Sequence, residues 1–220
     1  VDGVDLRVEQ GKIHGLVGES GSGKSVTARS IMRLLDGAEV SADRFDYRGE
    51  DLYAKSEAEM RRIRGDEIAM VFQDALSALN PVMTVGEQIA EVVRHHGDVD
   101  ESAGLLSELR RKYVTGTNES APSWRRAVDL LETVGIPDPE EIATSYPHQL
   151  SGGQRQRVMI ASALGGDPSL IVADEPTTAL DVTVEAGILD ELRRLCDEFD
   201  VAILLITHDL GVVAETCDHV

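Results

Sequence analysis

The sequence predicts an α/β fold: a parallel sheet wrapped by helices, with a helical segment set into it. Three observations carry this. Short apolar runs at Ile13–Val17, Ile68–Phe72, Leu170–Ala173 and Val201–Ile206 do not alternate with polar residues, the pattern of strands buried on both faces. Helix-period segments separate them, as crossover connections require. Between Asn80 and Pro147 the alternation stops, and helix-period segments stand alone.

Taken in order, Val4, Leu6 and Val8 alternate with polar residues and read as a half-buried strand closed by the turn Gln10-Gly11-Lys12. Ile13–Val17 runs into a glycine-rich loop and then a helix over about 25–35. Ser56 and Glu59 have capping-box spacing for a short helix ending near Ile63. Val85–His96 and Trp124–Val134 read as amphipathic helices. Between them, 97–123 is polar, carries Gly97, Gly104, Gly116 and Pro122, and reads as an insertion or mobile loop holding one short helix, Ala103–Tyr113. After Pro147 a helix over Gly153–Leu164, a strand, a helix over Val182–Phe199 and a last strand restore the α/β order.

Composition narrows the function classes. The 220 residues carry 42% hydrophobic and 28% charged side chains, neither a disordered nor a membrane-embedded balance. The net charge of −19 repels nucleic acid and anionic lipid. Only four basic residues are lysines (Lys12, Lys24, Lys55, Lys112), which suits a chain kept hydrated at high salt as well as an ordinary acidic cytosolic one. Cys196 and Cys217 lack metal-site spacing and read as reduced thiols. The apolar run Val201–Ile206 is far shorter than the roughly 20 residues of a membrane-spanning helix. A chain opening on Val1, with no signal segment and no terminal signal before Val220, reads as a fragment of a longer polypeptide.

Three motifs carry chemistry. Gly18-Glu19-Ser20-Gly21-Ser22-Gly23-Lys24-Ser25 fits G-x-x-x-x-G-K-[ST] between a strand and a helix, the context in which amides and a helix start cradle phosphate. Lys24 reaches β- and γ-phosphates there and Ser25 holds Mg²⁺. The strand at 170–173 ends in Asp174, a Mg²⁺ ligand type, and Glu175, placed to orient or deprotonate water. Leu150-Ser151-Gly152-Gly153-Gln154 opens a second helix with an anion-binding start. One nucleotide needs one such start, so the second points to a nucleotide gripped between two protomers.

With these residues in hand, the chain resembles the nucleotide-binding subunits of ABC transporters, and within them the peptide, nickel and oligopeptide importer ATPases. The match covers nearly everything outside 97–123. Gln73 corresponds to the Q-loop glutamine, 150–154 to the signature motif, 170–175 to Walker B, Asp181 to the D-loop aspartate and His208 to the switch histidine.

The resemblance implies an α/β P-loop NTPase (RecA-like) core with a parallel sheet, N-terminal antiparallel β strands and an inserted α-helical subdomain. Residues 1–76 and 156–220 would form the core and 77–155 the helical part. It implies ATP and Mg²⁺ as cofactors, with Glu175, His208 and Gln73 as catalytic residues. Residues 18–26, ending at Val26, would bind the nucleotide with Ser151, Gly152, Gly153, Gln154 and Asp181. Ser25, Gln73 and Asp174 would face the metal.

It further implies a second ATPase protomer (identical or paralogous), membrane-spanning permeases and, indirectly, an extracytoplasmic solute-binding protein, with no nucleic-acid partner. The place would be the cytoplasmic face of the membrane, as a peripheral subunit. Three departures stand out. The aromatic that stacks on adenine in members would lie upstream of Val1, and Ala75 and Gln149 replace a frequent proline and glutamate. The other reading is a non-transport ABC ATPase acting on nucleic acid or ribosomes, against which the acidic charge counts. His95 and His96, Trp124, and the cluster Arg61, Arg62 and Arg64 read as ordinary surface or packing residues.

Overall fold

The computed structural model describes residues 3–35, 37, 40–96 and 121–220. The expected short helix at Ala103–Tyr113, and most of the expected insertion, lie outside these. The chain divides into two compact units. One holds the residues up to Gln73 with Pro168–Thr178 and Leu192–Val220; the other holds Asp74–Asp167 and Ala179–Glu191.

The first unit is built on strands β1 (Ile13–Val17), β4 (Ile68–Val71), β5 (Leu170–Asp174) and β6 (Ala202–Thr207), parallel throughout in the order β1-β6-β5-β4. Central β6 is buried along its whole length, so its apolar run needs no alternation. Helices α1 (Lys24–Ile31) and α2 (Glu57–Asp66) cover one face, where Ala28, Met32, Met60 and Ile63 pack on Ile68, Val172, Leu204 and Ile206. The Ser56–Glu59 capping box forms as the spacing predicts, and regular helical backbone ends at Ile63 because Arg64 and Gly65 leave it. Helix α1 is shorter than expected. Arg33 turns to φ 49, and Arg64 Nε donates to the Met32 carbonyl at 2.7 Å, taking an acceptor that a longer helix would use.

The strand expected at Val4–Val8 is not there. Those residues join no strand, and Val4 and Leu6 are exposed. Alternation marks a sheet face only where a neighbouring strand supplies ladder bonds, and among the described residues none does. The segment instead walls a cavity of about 410 Å³ with Val26, Ile31, Phe45, Tyr47 and Leu52. The antiparallel pair that does form is β2 (Asp46–Tyr47) with β3 (Glu50–Asp51).

The second unit is helical. It contains α3 (Ala75–Ala78), α4 (Val85–His96), α5 (Pro122–Thr133), α6 (Pro139–Ala143), α7 (Gly152–Leu164) and the first half of α8 (Val182–Phe199). Helix α4 packs on α5, with Ile89, Val93, Trp124, Ala127, Leu130 and Leu131 buried. Trp124 is the packing anchor its sequence position suggested: a Cβ at Gly86 would stand 2.7 Å from its ring. A last helix, α9 (Leu210–Thr216), returns to the first unit. Among the described residues no helix is long and apolar enough to cross a membrane.

Candidate functional site

The loop 18–23 joins the C-terminal end of β1 to α1. Gly21 and Gly23 take φ 80 and 100, a region open to glycine and costly for other residues. Gly23 caps α1 without a side chain, so the first-turn amides stay available to an anion. Lys24 is buried, and its ammonium is held by the carbonyls of Gly18 (2.8 Å) and Glu19 (3.1 Å). The loop thus wraps its own cation, and phosphate oxygens can take over those contacts. Glu19, Ser20, Gly21 and Ser22 lie exposed along the rim, and Val26 is exposed on α1.

At the end of β5, Asp174 is 2% exposed and accepts the Ser25 hydroxyl at 2.8 Å. A buried carboxylate beside a hydroxyl is a hard-oxygen pair of the kind Mg²⁺ takes together with phosphate oxygens. Glu175 follows at φ 48, a strained value for a residue with a Cβ. Its own N–H is fixed by the Ile206 carbonyl at 2.9 Å. Oε2 accepts Gln73 Nε2 at 3.1 Å and the Thr178 hydroxyl at 3.0 Å, with His208 Nδ1 at 3.4 Å. Oε1 stands 3.8 Å from Lys24 Nζ. Four sheet connections therefore meet at one carboxylate, at the strand ends where parallel sheets bind ligands.

Of the residues singled out in the sequence, Lys24, Ser25, Gln73, Asp174, Glu175 and His208 come together here. Thr178 was not singled out. Its signal was available, because a Thr three residues after an acid can turn back on it.

The second group lies in the helical unit. Ser151 caps α7: its hydroxyl accepts Gln154 N–H at 3.2 Å, and Gln154 Oε1 accepts Ser151 N–H at 2.9 Å. The accepting oxygens of both polar side chains thus serve the capping box, while the Ser151 O–H and the first amides, at Gly152 and Gly153, are left to donate to an anion. The glycines also serve packing. A Cβ on Gly152 would stand 3.3 Å from Leu180, and one on Gly153 only 2.5 Å from Val184. Asp181 caps α8 by accepting Val184 N–H at 3.0 Å.

Among the described residues no cluster of three or more His, Cys, Asp or Glu converges as a metal site. Mg²⁺ would have to be held by Ser25 and Asp174 with help from the nucleotide.

Residues 1–178 match the ABC transporter family model. The oligopeptide transport ATP-binding protein AppD of Bacillus subtilis (strain 168) is 46% identical over 222 residues, covering 100% of this chain and 62% of its own. A putative peptide import ATP-binding protein of Brucella abortus (strain 2308) is 49% identical over 225 residues, covering 99% and 60%. The chain thus spans about three-fifths of the length of these curated relatives. The ATP-binding cassette MJ0796, solved as a dimer in a post-hydrolysis state bound to ADP and Pi, superimposes with a TM-score of 0.70 at 30% identity, covering 95% of this chain and 80% of that one. Fold, loop geometry and family match agree: the chain belongs to the ABC transporter family.

Proposed function

We propose that the chain is the ATP-binding and ATP-hydrolysing part of an importer for peptides or similar small solutes. One observation carries the chemistry: Lys24, Gln73, Thr178 and His208 converge on Glu175 at the mouth of the phosphate loop. The loop amides and Lys24 bind the β- and γ-phosphates, and Ser25 and Asp174 would hold Mg²⁺. The metal, when bound, neutralises charge developing on the phosphate oxygens. Glu175 orients the attacking water and takes its proton as oxygen bonds to the γ-phosphorus. The bond to the β–γ bridging oxygen breaks, giving ADP and phosphate. Gln73 fixes the carboxylate and the water, and His208 lies against the γ-phosphate.

The exposed start of α7 supplies the opposite wall. In a head-to-tail dimer, Ser151, Gly152 and Gly153 of the partner protomer close over the nucleotide, and Asp181 lies at the junction. Loss of the γ-phosphate removes what holds the two together. Curated relatives named for peptide import support membrane-spanning permeases as partners. The place is then the cytoplasmic face of the membrane, with a solute-binding protein acting indirectly.

Glu175→Gln tests the base. ATP affinity should stay within about twofold while turnover falls about 10²- to 10⁴-fold, the usual contribution of a general base. Phosphate release at the wild-type rate by this variant would sink the assignment.

A further inference from the structure

Gly153 and Val184 fix one point of close approach between α7 and α8. A single point lets two helices pivot. Four residues on, about 6 Å along α7, the Arg157 guanidinium supplies the further points. Nη1 donates to the carbonyl of Val134 at the end of α5 and stands 3.6 Å from Glu191 Oε2; Nη2 donates to the carbonyl of Gly187 at 3.3 Å. Val134 is fully buried, and its carbonyl is one that the ended helix leaves without an intrahelical donor. The Glu191 side chain is 9% exposed, so its carboxylate needs a cationic partner. Space is reserved for the guanidinium. A Cβ at Gly135, where φ is 69, would stand 3.0 Å from Nη1, and one at Gly187 3.3 Å from Nη2.

We infer that Arg157 is a positioning residue for the Ser151–Gly153 helix start. Its planar fork locks α7 to α5 and to α8 at once, so the amides at 152–153 and the cap at Asp181 keep one fixed relation. Lysine, with a single rotating ammonium, cannot reproduce the fork. The inference rests on the proposed function for its catalytic consequence, while the mechanical lock stands apart from it.

The test uses Arg157→Gln and Arg157→Lys in the whole protein. Three quantities are read: amide hydrogen exchange, affinity for a fluorescent ATP analogue, and steady-state ATP turnover. In Arg157→Gln, the amides of Arg155–Val158 should exchange about tenfold faster while those of α1 keep their rates, because local opening is cheapest where a tie is lost. Analogue affinity should hold within about twofold. Turnover should fall about 10- to 100-fold, the scale of an ångström-level misplacement, with Arg157→Lys intermediate.

Unchanged exchange at Arg155–Val158 would overturn the lock. So would turnover, affinity and helical circular dichroism falling in parallel, which marks general unfolding. If that variant misfolds, Glu191→Gln, which keeps the two carbonyl contacts, should still give a smaller rise in exchange at the same amides, and its absence counts against the lock. A wild-type protein with no ATP turnover but with the expected exchange pattern would overturn the ATPase reading and leave the lock supported.

Discussion

Around Glu175 the polar work is done by side chains: an ammonium, an amide, a hydroxyl and an imidazole reach in from four connections of the sheet. At the start of α7 the side chains of Ser151 and Gln154 each accept the other residue's backbone N–H, and the main-chain amides of the first turn, with the Ser151 O–H, are what is left for an anion. The first region is sensitive to chemistry, because each donor has a specific acceptor. The second is sensitive to volume, because Gly152 and Gly153 lie against Leu180 and Val184 with no room for a Cβ at 153. Glu175→Gln probes the first kind of sensitivity and should have the largest effect of all.

Gly153→Ala probes the second. It alters no charge and no side-chain hydrogen bond, yet its Cβ would meet Val184 Cγ1 at 2.5 Å. The start of α7 must move, at a cost of about 1–3 kcal/mol in stability for an overpacked site and a loss of about tenfold or more in turnover. Trimming the obstacle should restore both, so Gly153→Ala with Val184→Ala should outperform Gly153→Ala alone in thermal unfolding and in phosphate release. A double variant as impaired as the single one would show that glycine at 153 serves something other than this packing.

This contrast was half legible in the sequence. The phosphate loop, Asp174 and Glu175 could be placed because their residue types and their position between strand and helix imply the chemistry directly. The convergence of Gln73 and His208 on Glu175 could not be read from spacing, since 102 residues separate Gln73 from the acid it bonds. The packing duty of Gly153 was invisible for the same reason: its neighbour Val184 belongs to another helix. The missing strand at Val4–Val8 fails differently. The alternation is real, but a strand is defined by its partner, and local pattern does not supply one. Helix α1 was overextended because Arg64, distant in sequence, captures the carbonyl at Met32.

Thr178→Val gives a smaller and sharper version of the chemical sensitivity. Valine keeps the volume but removes the hydroxyl that donates to Glu175 Oε2 at 3.0 Å. One positioning hydrogen bond contributes about 1 kcal/mol, so turnover should fall about fivefold with ATP affinity unchanged, and Thr178→Ser should stay near wild type. Equal turnover in the valine and serine variants would mean that Gln73, His208 and Lys24 orient the carboxylate without the Thr178 hydroxyl.

Acid should separate the two units most gently. At the start of β1, His14 Nε2 accepts the Glu9 N–H at 2.9 Å and its ring stacks on His219 at 4.9 Å. Burial, then the neighbouring His219, holds its pKa below the ordinary 6.5. Beside it, burial pushes the Asp218 carboxyl up, but the Ile13 N–H and the Arg193 guanidinium outweigh that and hold it below 3.8. Both groups therefore bind protons more readily unfolded than folded. Their contribution is complete above pH 6.5; it begins to fall below that as unfolded His14 protonates, and falls again below 3.8 through Asp218. Both lie in the sheet unit, whereas among the described residues of the helical unit the carboxyl held low is Asp74, capping the four-residue α3. Amides of β1 should thus lose exchange protection as the pH falls below 6.5, before those of α7. His14→Gln, with an amide oxygen to accept the Glu9 N–H and no proton to gain, should flatten that first step. Loss of α7 protection at the higher pH would place the acid-sensitive contact in the other unit.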